Sequence, residues 1–267
     1  MIAPMLAQPE DEVPIGEYAY ELKWDGIRAI IVVKDGKPRI QSRSGRDITS
    51  QFPELQESGF GSHEGTFDGE IIWCVEDGKP SYDGIMQRVN SEKVLKSENV
   101  HCCLFDALAI DGSPLLSEPW SYRREKLERT VVPHPSYRLS EVFDDGEALM
   151  DACRELDLEG IMAKRLDGTY SPGRRSNAWI KVKVLRVIEC RITGYTKGKG
   201  KRANTFGALQ VSDMAGDPMG LVGSGFDEES IEKITVGLKA DKQMTCRIQF
   251  MSKTEGGLRE PVFLHLT

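Results

Sequence analysis

Glu21-Leu22-Lys23-Trp24-Asp25-Gly26-Ile27-Arg28 is the stretch whose reading decides the fold. It follows the strand-like Tyr18-Ala19-Tyr20 and leads into an apolar run, Ile30-Ile31-Val32-Val33. β-Branched and aromatic runs on either side of an Asp-Gly pair predict two strands joined by a sharp bend. A lysine at such a bend can be aimed into a cleft, where it would act as a nucleophile. Taken alone, the octet also fits a surface lysine beside a hairpin turn, because short motifs arise by chance. The rest of the chain has to decide between the two.

A length of 267 residues suits one large or two modest domains. Hydrophobic and charged contents of 39% and 29% are those of an ordinary soluble globular protein. The start, Met1-Ile2-Ala3-Pro4-Met5-Leu6-Ala7, lacks the basic residues and long apolar core of a signal peptide. No later stretch approaches the roughly 18 apolar residues of a membrane span. A cytoplasmic protein with no membrane contact is expected. Cys74, Cys102, Cys103, Cys153, Cys190 and Cys246 form no C-x-x-C pair, which predicts buried free thiols and no zinc finger or disulfide framework.

The net charge of −7 argues at first against nucleic acid, but its distribution does not. From Lys164 to Arg202 twelve basic residues face only Asp167 and Glu189, so this window carries +10 and the remainder −17. A basic stripe on an acidic chain reads as a phosphate-binding footprint. A solvated charged face is the plainer alternative, and the one-sidedness of the run counts against it.

The elements form an α+β pattern. Strands are expected at 18–23, 28–34 and 38–41, with a hairpin turn at Lys34-Asp35-Gly36-Lys37. The polar turn Ser42-Arg43-Ser44-Gly45-Arg46-Asp47 offers guanidiniums for phosphate or ribose, or is a surface loop. A short helix is expected over 52–55, a buried strand over 65–73 with Asp68 and Glu70 on one face, and a helix over 91–96. The apolar strand 101–110 carries Asp106, which is costly to bury unless paired. Helices follow at 122–130, capped by Ser121, and at 147–156. Residues 158–164 form a strand with Glu159 at one end and Lys164 at the other. A Gly-, Pro- and Arg-rich loop then leads to a strand in which Trp179, Lys181 and Lys183 point one way and Ile180, Val182 and Val184 the other. Beyond Lys183 the texture changes to short strands at 186–195, 206–212, 218–223, 243–250 and 258–266, with one helix from Asp227. That count suits a small OB-like barrel, giving domains 1–184 and 185–267. The loop Lys197-Gly198-Lys199-Gly200-Lys201-Arg202 lets several cations follow one nucleic-acid backbone.

In order, these pieces resemble the covalent nucleotidyltransferases, specifically ATP-dependent DNA ligases, and within them the ligase domain of bacterial end-joining enzymes. The opening octet is similar to the K-x-D-G-x-R adenylation motif; Ser42 to Gly45, Asp68-Gly69-Glu70, Phe105-Asp106, Glu159 to Lys164 and Trp179 to Lys183 follow it in family order. The resemblance implies an adenylation domain of antiparallel sheets with flanking helices, then an OB-fold. It implies that Lys23 becomes a lysyl-AMP and that Glu21 reads the adenine amino group. Arg28 and Arg43 would bind the AMP ribose and phosphate, or the DNA phosphate at the nick, and Phe105 would stack on adenine. Glu70 and Glu159 would serve ribose and a divalent metal, and Lys181 and Lys183 the α-phosphate. Arg259, in Leu258-Arg259-Glu260-Pro261-Val262-Phe263, would orient pyrophosphate, although Glu260 stands where a basic residue or histidine suits the motif better. Arg174, Arg175, Lys197, Lys199, Lys201 and Arg202 would contact DNA.

The implied reaction uses ATP and Mg²⁺ or Mn²⁺ to seal nicks in duplex DNA, in repair, replication or recombination. Only a neutral amine attacks phosphorus, and a free lysine is nearly all protonated at neutral pH; neighbouring cations and a metal favour the neutral form. Only 22 residues precede Lys23 and no cysteine pairs occur, so ATP is favoured over NAD and a minimal two-domain monomer with salt-sensitive DNA binding is expected. An RNA ligase or an mRNA capping enzyme shares the lysine motif and a barrel. A non-catalytic binding protein built on the barrel is the alternative from another class.

Overall fold

The computed structural model describes every residue except 1, 58, 77, 92, 93 and 255, and Lys201 by its backbone alone. The chain divides into two compact units that meet between Lys183 and Val184. The first unit is built on two sheets. One has the order β1 (Leu6–Glu10), β10 (Arg175–Lys183), β9 (Gly160–Arg165), β2 (Tyr18–Leu22). The other runs β4 (Lys37–Ser42), β3 (Ile27–Lys34), β5 (Gly65–Trp73), β6 (Val100–Ile110), β7 (Ser113–Pro114), with β8 (Tyr137–Leu139) parallel to β6. The alternating pattern of residues 18–42 puts Ile31, Val33 and Ile40 into the core below the second sheet, with Phe52, Leu55, Phe60 and Phe67. Met5, Ile30, Phe105, Leu108, Tyr170 and Trp179 form a separate cluster. Its members come from strands of both sheets and from the chain leading into them.

β1 is not evident in the sequence. It carries Pro9 and Glu10, shows no alternation, and pairs in parallel with β10. A parallel partner so distant in the chain leaves no hairpin signal. The helix expected over 91–96 is absent: 92 and 93 lie outside the described residues, and the others are irregular. The helix is instead α1 (Tyr82–Asn90), capped by Ser81, whose hydroxyl accepts from the Gly84 N–H at 3.1 Å. The segment after it is pinned by side chains. Arg88 donates to the Gln51 and Leu95 carbonyls and pairs with buried Glu54 at 2.5 Å, while Glu54 also accepts from the Ser97 N–H. Residues 49–55 make two 3₁₀ turns rather than one helix, because Pro53 lacks the N–H that would join them.

α2 (Trp120–Thr130) begins two residues before the expected start, after Pro119 and without a side-chain cap. Ser121 therefore lies inside its first turn, and its N–H donates to the Leu166 carbonyl. α3 (Gly146–Glu155) is capped by Asp145, which accepts from the Ala148 N–H at 2.9 Å.

The second unit is an antiparallel five-stranded sheet in the order β13 (Pro218–Val222), β12 (Phe206–Ser212), β11 (Arg186–Lys197), β14 (Met244–Phe250), β17 (Val262–Leu266). A parallel bridge between Ser224 and Val262 brings the end of β13 towards β17, in the manner of the expected OB-like barrel. Cys190, Phe206, Leu209, Cys246, Ile248 and Phe263 fill its core, against α4 (Glu228–Lys239). Asp227 and Ser230 cap that helix reciprocally. The single strand expected over 258–266 is split. β15 (Lys253–Thr254) pairs antiparallel with β16 (Gly257–Leu258), and Glu260 at φ 49° ahead of Pro261 breaks the ladder before β17.

Candidate active site

The strands of the first unit line a cleft of about 340 Å³, within the range of small-molecule sites. Lys23 stands at the end of β2, where its N–H donates to the Gly160 carbonyl at 2.9 Å. From there the chain crosses from one sheet to the other through Trp24-Asp25-Gly26. Gly26 is required by proximity rather than by a left-handed turn. A Cβ on it would lie 2.2 Å from the Ile71 carbonyl oxygen, and its φ is not positive. Trp24 fixes the crossing by donating its indole N–H to the Ser140 hydroxyl at 3.0 Å.

The Lys23 ammonium pairs with Glu159 Oε1 at 2.6 Å, and Lys183 reaches the same oxygen at 3.9 Å. Glu159 is aimed here by Gly160, which admits no side chain: its φ is 137°, and a Cβ on it would lie 2.1 Å from the Val182 carbonyl oxygen. Burial raises the pKa of the Glu159 carboxyl, with the Lys23 charge pulling against it. Its second oxygen, Oε2, is buried with no hydrogen-bond partner. Glu70 faces the same cleft, and burial pushes it up to about 7 against the pull of Arg28 and Lys23. A carboxyl whose pKa rises on folding binds more protons in the folded state between its ordinary value and about 7. The metal-free protein is therefore expected to lose stability as pH rises through that window. Thermal melting across pH 5–8 should show the decline, and Glu70→Gln should flatten it.

Arg28 is committed to two bonds on Asp68, at 2.5 and 2.7 Å. Asp68 is fully buried and accepts a third, from the Tyr170 hydroxyl at 2.5 Å; that hydroxyl accepts the Met5 N–H at 3.0 Å. The Arg28 guanidinium lies over the rings of Phe105 and Trp179, 4.7 and 5.3 Å from their centroids. Phe105 meets Trp179 edge to face. Burial works against the Arg28 charge, and Asp68 more than restores it.

Lys164, counted above in the basic stripe, is not available to phosphate. It is 1% exposed, its ammonium 2.6 Å from Glu21 Oε1 and 3.2 Å from the Phe105 carbonyl. Burial lowers its pKa, and the carboxylates of Glu21 and Asp106 pull it back. Trp179 is likewise buried, although it shares a strand face with the lysines. Asp106 has the partner that its burial requires, Arg123, at 2.8 Å through both oxygens.

The cleft thus gathers Glu21, Lys23, Arg28, Arg43, Glu70, Phe105 and Lys181 along its lining, with Glu159 and Lys183 attached through the ion pairs. Arg175 lines its rim and donates to the Ala7 carbonyl, and Arg174 is exposed beside it. Arg259 and residues 197–202 belong to the second unit. There Lys197 and Lys199 are exposed, Arg202 lies 5.9 Å over the Phe226 ring, and the Lys201 side chain is outside the described residues. Sequence reasoning did not find the partners of the site: Tyr170 on Asp68, and Lys164 on Glu21. Lys164 carried the same signal as Asp106, a charge inside an apolar strand.

A lysine held by a carboxylate, beside aromatic rings and a second lysine, is an arrangement that suits a nucleotidyltransferase. The family model of the ATP-dependent DNA ligase domain matches residues 4–183, and the chain belongs to that family. It is 33% identical over 250 residues to the multifunctional non-homologous end joining protein LigD of Mycolicibacterium smegmatis, covering 87% of this chain and 32% of that protein. It is 34% identical over 200 residues to the SPbeta prophage-derived DNA ligase-like protein LigB of Bacillus subtilis, covering 73% of this chain and 72% of that one. A solved structure of a mycobacterial DNA ligase D complexed with ATP and MES matches over the whole chain and 95% of its own, at 26% identity and a TM-score of 0.63. The chain spans about a third of the length of the LigD proteins it matches. Among the described residues no helix is long and apolar enough to cross a membrane.

Proposed function

We propose that this chain seals 5′-phosphate/3′-hydroxyl nicks in duplex DNA through a lysyl-AMP on Lys23. The observation that carries the reading is the Lys23 ammonium at the cleft, 2.6 Å from Glu159, with Lys183 on the same carboxylate. Lys23 Nζ attacks the α-phosphorus of ATP; the N–P bond forms, the bond to the bridging oxygen breaks, and pyrophosphate leaves. The 5′-phosphate oxygen of the nick then takes the AMP from Nζ, and the 3′-hydroxyl displaces AMP to close the strand. Phosphoryl transfer of this kind asks chiefly for positioning and charge. Lys181 and Lys183 supply charge at the α-phosphate, Phe105 stacks on adenine, and Glu21 accepts from its amino group. Arg28, locked by Asp68, and Arg43 bind ribose and phosphate, and Arg259 orients the pyrophosphate.

Glu159 and Glu70 suit a divalent cation, Mg²⁺ or Mn²⁺. Glu159 Oε2 is a buried acceptor lacking a hydrogen bond, and Glu70 sits in the same cleft. Among the described residues no group of three or more His, Cys, Asp or Glu forms a cage. That agrees with Mg²⁺, which keeps several waters and rests partly on substrate phosphates. A cation held by Glu70 and Glu159 would neutralise phosphate charge.

The experiment is a nick-sealing assay with ATP, NAD and GTP side by side, followed by a search for label on the protein. Sealing and protein label from ATP are expected. Label from GTP alone would replace this reading with a capping-type enzyme. DNA is gripped by Arg174, Arg175, Lys197, Lys199, Lys201 and Arg202. Neutralising Lys199, Lys201 and Arg202 together is expected to weaken sealing and lower the slope of log affinity against log salt by up to about 3, at roughly 0.9 per lost phosphate contact. Self-adenylation should be spared; its loss would assign the loop to the nucleotide site. The six buried free thiols suit a reducing cytoplasm, and we infer a monomer, which sedimentation would check.

A further inference from the structure

Lys164 is a charged group to which the reaction above gives no task, although both of its hydrogen-bond partners are assigned to the adenine. Its ammonium donates to Glu21 Oε1 at 2.6 Å and to the Phe105 carbonyl at 3.2 Å. It also lies over the rings of Phe105 and Trp179, 4.4 and 4.7 Å from their centroids. Both members of the ion pair are 1% exposed, and both line the cleft. β9, which carries Lys164, is hydrogen-bonded to β2, which carries Glu21, and to β10, which carries Trp179. The ammonium therefore ties together three walls of the base subsite. Enclosing a cation this completely is expensive, and an apolar side chain of similar length would fill the same space.

We propose that Lys164 is a positioning residue for base selection: by fixing the Glu21 carboxylate as an acceptor, it makes the cleft take adenine and refuse guanine. This rests on the reading of Glu21 as the partner of the adenine amino group. An ionised carboxylate can only accept hydrogen bonds. Adenine presents an amino donor at the ring position where guanine presents a carbonyl oxygen. Carboxylate and carbonyl are both acceptors, so guanine is left with a buried mismatch, and sites built on such a hydrogen bond reject the wrong group by factors up to about 10,000. Without the ammonium, the Glu21 carboxyl loses the bond that fixes it as an acceptor towards the base, and the discrimination relaxes.

The test measures kcat/KM for self-nucleotidylation with ATP and with GTP, in the wild type, Lys164→Met, Lys164→Gln and Glu21→Ala. In protein that remains folded, Lys164→Met is expected to lower the ATP:GTP ratio at least tenfold, and Lys164→Gln to lower it by less, since its amide still donates to Glu21. A ratio within twofold of wild type in folded Lys164→Met overturns the proposal. If that variant does not fold, the same criterion applied to Lys164→Gln decides. A merely structural lysine would lower both rates together and leave the ratio in place. Glu21→Ala separates the two levels. If it leaves the ratio intact, the reading of Glu21 fails; if it collapses the ratio while the Lys164 variants do not, only the role of Lys164 fails.

Discussion

Replacing Lys23 with alanine is expected to abolish both self-adenylation and nick sealing, by about 10,000-fold or more, since no second amine can take over the covalent step. Lys183 is the nearest rival, but at 3.9 Å from Glu159 it comes from β10 rather than from the end of β2. The loss should be chemical and not structural. Lys23 is partly exposed, its N–H bond to Gly160 is made by the backbone, and Glu159 keeps Lys183 as a partner. Label transfer from ATP, with thermal melting as the control, makes the comparison. A variant that still accepts AMP from ATP refutes the assignment. Sealing of a pre-adenylated nick should survive in part, because that last step needs no lysyl adduct.

Arg123→Met is expected to cost about 3–5 kcal/mol of stability, since it strands the carboxylate of Asp106 in the interior. Both side chains of this pair are fully buried. The guanidinium also donates to the Glu118 and Gly168 carbonyls at 2.6 and 2.9 Å, so the substitution leaves three acceptor groups to be satisfied. The four tryptophans, Trp24, Trp73, Trp120 and Trp179, all fall in the first unit, so tryptophan fluorescence during urea unfolding reports on that unit alone. A midpoint unchanged from the wild type would show that Asp106 finds another partner. Asp106→Leu combined with Arg123→Met should recover most of the loss, because removing both charges removes the unpaired one.

The elements legible in the sequence are those with a local cause. The hairpin around Asp35-Gly36, the strands at 65–73 and 101–110, the Asp227 cap and the five strands of the second unit follow from alternation, turn residues and capping side chains. The misses have non-local causes. β1 is a strand only because β10 offers it an edge. Residues 94–97, beyond α1, are irregular because Arg88 and Glu54 pin them. The strand expected over 258–266 breaks at Glu260 and Pro261, where the expected motif was already imperfect.

The sequence by itself singled out the residues to which we assign the chemistry. Lys23, Glu70, Glu159, Lys181 and Lys183 stand at positions that the resemblance to the ligase motifs brings forward, and the strand period limits where they point. Only the tertiary structure decided which of the charges are free to meet a ligand. Lys164 is withdrawn from the basic stripe to hold Glu21, whereas Arg28 stays on the cleft lining with Asp68 orienting it. Charges of one sign look alike along a chain. In the fold, desolvation forces each buried one to find its own counter-charge, and that partner lies many residues away.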